Sequence, residues 1–259
     1  MSRYERRALV ASPTPPAQAA AAELADAADW VDPAEADVII ALGGDGFMLQ
    51  TLHAMLDRRT PPVPVFGMNL GTVGFLMNEW RRHGLDERLA NVKPFKVTPL
   101  AVTITATDGR HHHLPAINEV SLLRETRQTA KLEITVNDRV VMPELACDGV
   151  LVATPAGSTA YNLSANGPIL PLGSNLLALT PISPFRPRRW RGAILPDKAR
   201  ITIRARDAGK RPVSAVADQH EIRDVACVEV AMDRARELTL LFDPEHALDD
   251  RITMEQFIA

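Results

Sequence analysis

Apolar positions follow two different rhythms along the chain, and the change between them falls near Pro94–Pro99. Before it, Val38-Ile39-Ile40-Ala41-Leu42 is a continuous apolar run bounded by Asp37 and by glycines, the pattern of a strand buried on both faces. Gly46–Leu56 follows with Phe47, Met48, Leu49, Leu52, Met55 and Leu56 near helical spacing. Val63–Met68 is a further strand, preceded by Pro61-Pro62 and followed by the loop Asn69–Gly74. Upstream, Arg7–Ala11 is a short apolar run closed by Ser12-Pro13-Thr14-Pro15-Pro16, and the alanine-rich stretch Gln18–Trp30 predicts a helix. Strands and helices in alternation predict a parallel sheet with helices packed on it.

From Leu100 onward the apolar runs are short, alternating and rich in β-branched residues. Leu100–Ala106 ends at Asp108-Gly109, a good hairpin turn. Ile117–Leu123, Leu132–Val136, Gly149–Ala153, Ile201–Ala205, Val213–Ala217 and Val225–Val230 are predicted strands, with turns at Asn137-Asp138, Asp207–Gly209 and Asp224. The expected fold is an α/β N-terminal domain with a parallel sheet (residues 1–95), followed by an all-β C-terminal domain (residues 96–239). Leu238–Leu241 and a closing segment Met254–Ile258 end the chain, and residues 240–259 are expected to rejoin the first domain.

Composition narrows the function classes. The 259 residues are 46% hydrophobic and 24% charged, ordinary for a soluble globular protein with a substantial core. Basic residues number 29 and acidic ones 32, a net charge of −3, which argues against generic nucleic-acid binding. Any phosphate recognition must therefore be local. The two cysteines, Cys147 and Cys227, make neither a disulfide framework nor a zinc site and are expected as buried free thiols. The apolar run after Arg3, Arg6 and Arg7 is too short for the core of a signal peptide. No stretch approaches the ~20 apolar residues of a membrane span. A cytoplasmic protein without nucleic-acid or membrane partners is expected.

Candidate chemistry begins at Gly43-Gly44-Asp45-Gly46, between the buried strand and the helix. Glycines at such a turn let backbone approach a ligand, and the helix start offers free N–H groups suited to phosphate. The Asp45 carboxylate opposes anion binding, which points to a base or a divalent-metal contact; an ordinary helix-capping turn is the alternative. The turn is neither a P-loop nor the GxGxxG dinucleotide fingerprint. A second glycine loop, Asn69-Leu70-Gly71-Thr72-Val73-Gly74-Phe75-Leu76, also follows a strand. Loops at the carboxyl ends of neighbouring strands converge, so both are expected to face one ligand. Further on, Gly149–Ala153 feeds Thr154-Pro155-Ala156-Gly157-Ser158-Thr159, a loop dense in hydroxyls and backbone donors and suited to ribose, amide and phosphate oxygens. Ser158 lacks the GxSxG setting of a hydrolase nucleophile.

Taken in order, the GGDG turn, the NxGxxGF loop, Asn118-Glu119 and DG…TPxGSTAYxxSAxGPI resemble bacterial NAD kinase, the ATP/polyphosphate-dependent NAD kinase family, from about Val38 to Gln219. The GGDG turn alone is shared with diacylglycerol, sphingosine and phosphofructo-kinases; the TPxGSTAY segment is the specific one. The resemblance implies transfer of phosphate from ATP or polyphosphate to the 2′-hydroxyl of the adenosine ribose of NAD, giving NADP, with Mg²⁺ or another divalent cation. It implies Asp45 as the base for that hydroxyl and backbone around Gly43, Gly44, Gly46 and Gly71 as the cradle for the donor phosphates. It implies Asn118, Glu119, Asp148, Ala156, Thr159, Ala160, Tyr161, Asn162, Leu163 and Ser164 around the dinucleotide, partly across a subunit interface of a dimer or tetramer. Phe75 and Gln219 complete the expected binding residues, and no side-chain metal site is expected.

Three positions depart from the family pattern. Phe47 stands where the family usually has threonine after GGDG, Ala156 replaces a second threonine, and Asp218-Gln219-His220 stands where Asp-Gly is often found. Phe47 would alter donor choice and Ala156 dinucleotide contacts. A lipid or sugar kinase would share only the GGDG turn, and a non-catalytic dinucleotide sensor would follow if the departures abolished turnover. His111-His112-His113 is expected in a solvated hairpin tip. The cluster Arg186, Arg188, Arg189 and Arg191 is either a solvated loop or a phosphate contact, and Lys131 either faces solvent or meets the dinucleotide.

Overall fold

The computed structural model describes residues 4–26, 28–58, 61–72 and 74–246. Its described residues divide into two compact units, one comprising those up to Val97 together with residues 236–246, the other Thr98–Ala235. The expected closing segment Met254–Ile258 lies outside the described residues.

In the first unit a sheet runs in the order Arg7–Ala11, Val38–Gly43, Val65–Asn69, Leu238–Phe242, Lys93–Val97. The first four strands are mutually parallel and the last pair is antiparallel. Asn78–Glu79 pairs parallel with the end of Val65–Asn69. Val38–Leu42 is 0% exposed at each position, because strands flank it on both edges and side chains cover both faces. Its Val38, Ile40 and Leu42 pack against Ala17, Ala20 and Leu24 of the helix Pro15–Leu24 and Leu85 and Leu89 of the helix Leu85–Asn91. The helix Asp45–Leu56 buries Met48, Leu49, Leu52, Met55 and Leu56, the stripe its spacing predicts.

The first helix departs from the expected Gln18–Trp30. It starts at Pro15, since prolines in the first turn lose only N–H groups that have no helical partner. It stops at Leu24 because Trp30 turns back: its indole N–H donates to the carbonyls of Leu24 and Ala25 at 3.0 and 3.1 Å, and its backbone bridges Arg7.

Among the described residues the second unit consists of two six-stranded antiparallel sheets. One contains Leu100–Ala106, Ala130–Val136, Ile201–Ala205 and Val225–Met232; the other contains Glu119–Arg124, Gly149–Ala153, Leu176–Ile182 and Val213–Ala217. Leu132, Ile134, Ile203 and Val228 from the first meet Val120, Leu122, Val150 and Ala215 from the second in one core. Cys147 and Cys227 are buried free thiols, and burial pushes Cys147 up to about 12. The expected histidine tip is instead a strand: His111–Ala116 pairs with Leu100–Ala106, and the Nδ1 atoms of His111 and His113 lie 3.1 Å from the hydroxyls of Thr105 and Thr103. The tip itself is Thr107–Gly109. No described helix is long and apolar enough to cross a membrane.

Candidate active site

The candidate residues fall into two loop clusters, one in each unit. In the first unit, Gly44 is the N-cap position of the helix Asp45–Leu56, in extended conformation with no side-chain cap, and Asp45 opens the helix. The Asp45 carboxylate does not fold back on its own helix. Its Oδ2 accepts the N–H of Phe75 at 2.7 Å and its Oδ1 the N–H of Leu76 at 2.8 Å, across 30 residues of chain. The two glycine loops are thereby tied together, and the Leu70 N–H donates to Gly43 O at 2.6 Å. A Cβ on Gly71 would stand 3.3 Å from Gly44 Cα, so the loops approach to backbone distance there. Gly46 and Gly71 are exposed, Gly44 and Asp45 half-buried, and Gly43 buried. Phe47 lies against Gly43, where a Cβ would meet its side chain at 2.9 Å.

A carboxylate has about four lone-pair positions, so Asp45 keeps acceptor capacity for a hydroxyl after two backbone bonds. The same bonds fix its rotamer, as a positioned base requires. Among the described residues no three His, Cys, Asp or Glu side chains stand close enough to hold a metal ion.

In the second unit, Asn118 and Glu119 sit where the chain enters the strand Glu119–Arg124. Thr154, at the end of the neighbouring strand Gly149–Ala153, donates its N–H to Asn118 O at 2.9 Å and its Oγ1–H to Ile117 O at 2.7 Å. Gly157 packs on the same backbone: a Cβ there would stand 2.1 Å from Asn118 O. Thus the TPAGSTAY loop is folded directly against the Asn-Glu pair. Its path is the short 3₁₀ turn Ala156–Thr159 followed by the helical turn Tyr161–Ser164.

Within that loop the structure separates open side chains from framework. Ser158 is 0% exposed; its hydroxyl donates to Pro155 O and accepts from Leu170 N. Asn162 is also 0% exposed: its Nδ2 donates to Ser158 O and Pro168 O, and its Oδ1 accepts from Thr180. Its side chain therefore holds the loop's shape. Ala156 is buried; Thr159, Ala160, Tyr161 and Leu163 are half-buried and Ser164 is exposed.

The electrostatics of this cluster centre on Glu119. Burial pushes its carboxyl up to about 8, and the Asp218 carboxylate adds to the rise. Glu119 Oε2 and Asn118 Oδ1 are buried acceptors with no protein partner. Burial also raises the Tyr161 phenol, helped by the negative charges of Glu119 and Asp148. Asp148 is itself paired with Arg124, Nε to Oδ1 at 2.5 Å. Gln219 is exposed in the turn after Val213–Ala217. Its neighbour Asp218, absent from the expected set, points inward and accepts the N–H groups of residues 117–119. Only the Asp218-Gln219-His220 departure marked this spot, since its partners lie about a hundred residues away in sequence. Lys131 pairs with Glu144, and Arg186 and Arg188 lie over the Phe185 ring at 5.8 and 5.2 Å on an exposed loop.

Two family models match the chain: the ATP-NAD kinase N-terminal domain over residues 7–90 and the ATP-NAD kinase C-terminal domain over residues 117–239. These describe successive parts of one class of phosphotransferase, an α/β unit followed by an antiparallel β unit. NAD kinase of Rhizorhabdus wittichii is 67% identical over 253 residues, covering 98% of each chain. That of Zymomonas mobilis is 64% identical over 255 residues, again covering 98% of each. The chain belongs to the NAD kinase family. Among solved structures, yeast NADH kinase complexed with NADH matches with a TM-score of 0.81 at 22% identity, covering 98% of this chain and 87% of that one. NAD kinase from Archaeoglobus fulgidus in complex with ATP matches at 0.74 and 22%, covering 98% and 100%. At that identity the likeness is one of fold.

Proposed function

We propose that this protein phosphorylates NAD, transferring the terminal phosphoryl group of ATP, or of polyphosphate, to the 2′-hydroxyl of the adenosine ribose to give NADP. The observation that carries the reading is the Asp45 carboxylate, presented at a glycine turn and oriented by two backbone N–H groups of the second glycine loop. Asp45 accepts the proton of the 2′-hydroxyl as the oxygen–phosphorus bond forms; the bond to the leaving phosphate breaks, and ADP departs when ATP is the donor. Backbone around Gly43, Gly44, Gly46 and Gly71 receives the donor phosphates, and a divalent cation such as Mg²⁺ bound to them offsets their charge. Phosphoryl transfer of this kind is catalysed by positioning and electrostatics.

Asn118, Glu119, Asp148, Tyr161 and the other open positions of the Thr159–Ser164 stretch bind the dinucleotide, with Ala156 and Gln219 beside them, while the buried Asn162 holds the stretch in shape. The unpartnered oxygens of Asn118 and Glu119 support this, because buried acceptors ordinarily have donors and a ligand's amino or hydroxyl groups would supply them. The protein acts as a cytoplasmic homo-oligomer, a dimer or tetramer, in which Asp148 and the Thr159–Ser164 stretch serve a site shared between subunits. The test is a donor and acceptor panel on purified protein: ATP and polyphosphate against NAD and NADH, with product read by an NADP-specific dehydrogenase. NADP formation is expected with NAD and ATP. Binding of NAD with no product from any donor would refute the kinase reading in favour of a sensor.

A further inference from the structure

The segment Ile117–Glu119 is engaged at every backbone polar group. The Asp218 carboxylate accepts the N–H of Ile117 at 2.6 Å, of Asn118 at 2.9 Å and of Glu119 at 3.2 Å. The Asp218 N–H in turn donates to Glu119 O at 3.1 Å. Thr154 takes the two remaining carbonyls through its hydroxyl and its N–H. Asp218 reaches this position from the turn between Val213–Ala217 and His220–Ile222, with φ at 50°, in the left-handed region that aspartate tolerates better than most residues. Two buried side-chain acceptors without partners therefore stand on a peptide with no freedom left to move them.

We propose that Asp218 is a positioning residue for dinucleotide recognition: by clamping three successive N–H groups it aims the side chains of Asn118 and Glu119 at the substrate. The inference rests on the NAD kinase reading above. A carboxylate is needed because the three donors divide between both oxygens, Oδ2 for Ile117 and Oδ1 for Asn118 and Glu119. An amide offers one acceptor and turns an N–H donor toward another donor.

A second consequence follows from charge. Among the described residues, the ionisable groups acting on or sensing Glu119 are Asp218 and Tyr161; Asp148 also acts on Tyr161 and is paired with Arg124. Asp218 helps to keep the Glu119 carboxyl protonated at neutral pH, so that one of its oxygens donates rather than accepts. Without the Asp218 charge that proton leaves at lower pH.

The experiment is steady-state kinetics of Asp218→Asn with NAD and ATP from about pH 6 to pH 9, bracketing the Glu119 ionisation. The KM for NAD is expected to rise about tenfold, as for loss of a hydrogen bond to a charged group, while the KM for ATP stays within about twofold. The inflection of the NAD KM against pH is expected to move to lower pH than in the unmodified protein. Equal rises in both KM values, or a lower Tm with the NAD KM and its inflection unchanged, would overturn the proposal. If Asp218→Asn is not recovered folded, Asp218→Glu gives the same test. It keeps the charge but displaces the carboxylate, so a raised NAD KM with an unmoved inflection supports the clamp and an unchanged NAD KM overturns it. Failure of the unmodified protein to form NADP would instead overturn the kinase reading, and this inference with it.

Discussion

Replacing Asp45 by asparagine removes the base while keeping size, and the structure lets its two consequences be separated. Each carboxylate oxygen accepts one backbone N–H, from Phe75 and Leu76 at 2.7 and 2.8 Å. Asparagine can accept only one of them and sets its own amide hydrogens against the other. Losing a charge-assisted bond and leaving a donor opposed costs about 2 kcal/mol, which lowers Tm by roughly 4–8 °C in a chain of this size. The effect on turnover is distinct: a positioned general base contributes about 10²–10⁴-fold, so kcat is expected to fall by at least about a hundredfold. The KM for NAD should change little, because the dinucleotide contacts are assigned to Asn118, Glu119 and the Thr159–Ser164 stretch. A helix-dipole role alone would be worth about 0.3–1 kcal/mol with nearly normal turnover. The assay is kcat and NAD affinity on one folded preparation, with Tm measured alongside. Near-normal kcat together with the lowered Tm would make Asp45 a fastener of the two glycine loops and remove it from the chemistry.

Gly157→Ala is expected to displace Asn118, since the new Cβ would stand 2.1 Å from its carbonyl oxygen; a raised NAD KM with a lower Tm checks this. Phe47→Thr is expected to change the KM for the donor more than that for NAD. Equal effects, or a fall in Tm alone, would assign Phe47 to packing over Gly43. Glu119 carries its proton to higher pH in the folded state than in the unfolded one, where its value is 4.5, so its contribution to stability is full below about pH 4.5 and lost as pH rises toward about 8. Glu119→Gln should flatten that fall, worth up to about 1.4 kcal/mol per pH unit, in denaturant melts at successive pH values. The active species should sediment as an oligomer; a fully active monomer would exclude a site shared between subunits.

Local pattern alone determined the buried strand before the GGDG turn, the helix after it, the turns at Asp108-Gly109 and Asn137-Asp138 in the second unit and the family-specific TPAGSTAY segment. These are legible because burial on both faces demands a continuous apolar run, half-burial demands alternation, and a tight turn demands particular residues at adjacent positions. Edge strands escape that logic. The edge strand Arg139–Cys147 carries exposed Val140 and Val141 and breaks its register at Met142, so it shows no clean period; the internal strand Leu176–Ile182 is interrupted by Pro181. Only the tertiary structure decided that Leu238–Phe242 inserts between Val65–Asn69 and Lys93–Val97, that the Asp45 carboxylate reaches across to Phe75 and Leu76, and that Asp218 sits under Asn118 and Glu119. Each joins residues 30 or more positions apart, and on at least one side the partner is a backbone N–H or C=O group. Every residue except proline carries both groups, so their pairing leaves no mark on side-chain pattern and emerges only once the sheets have closed.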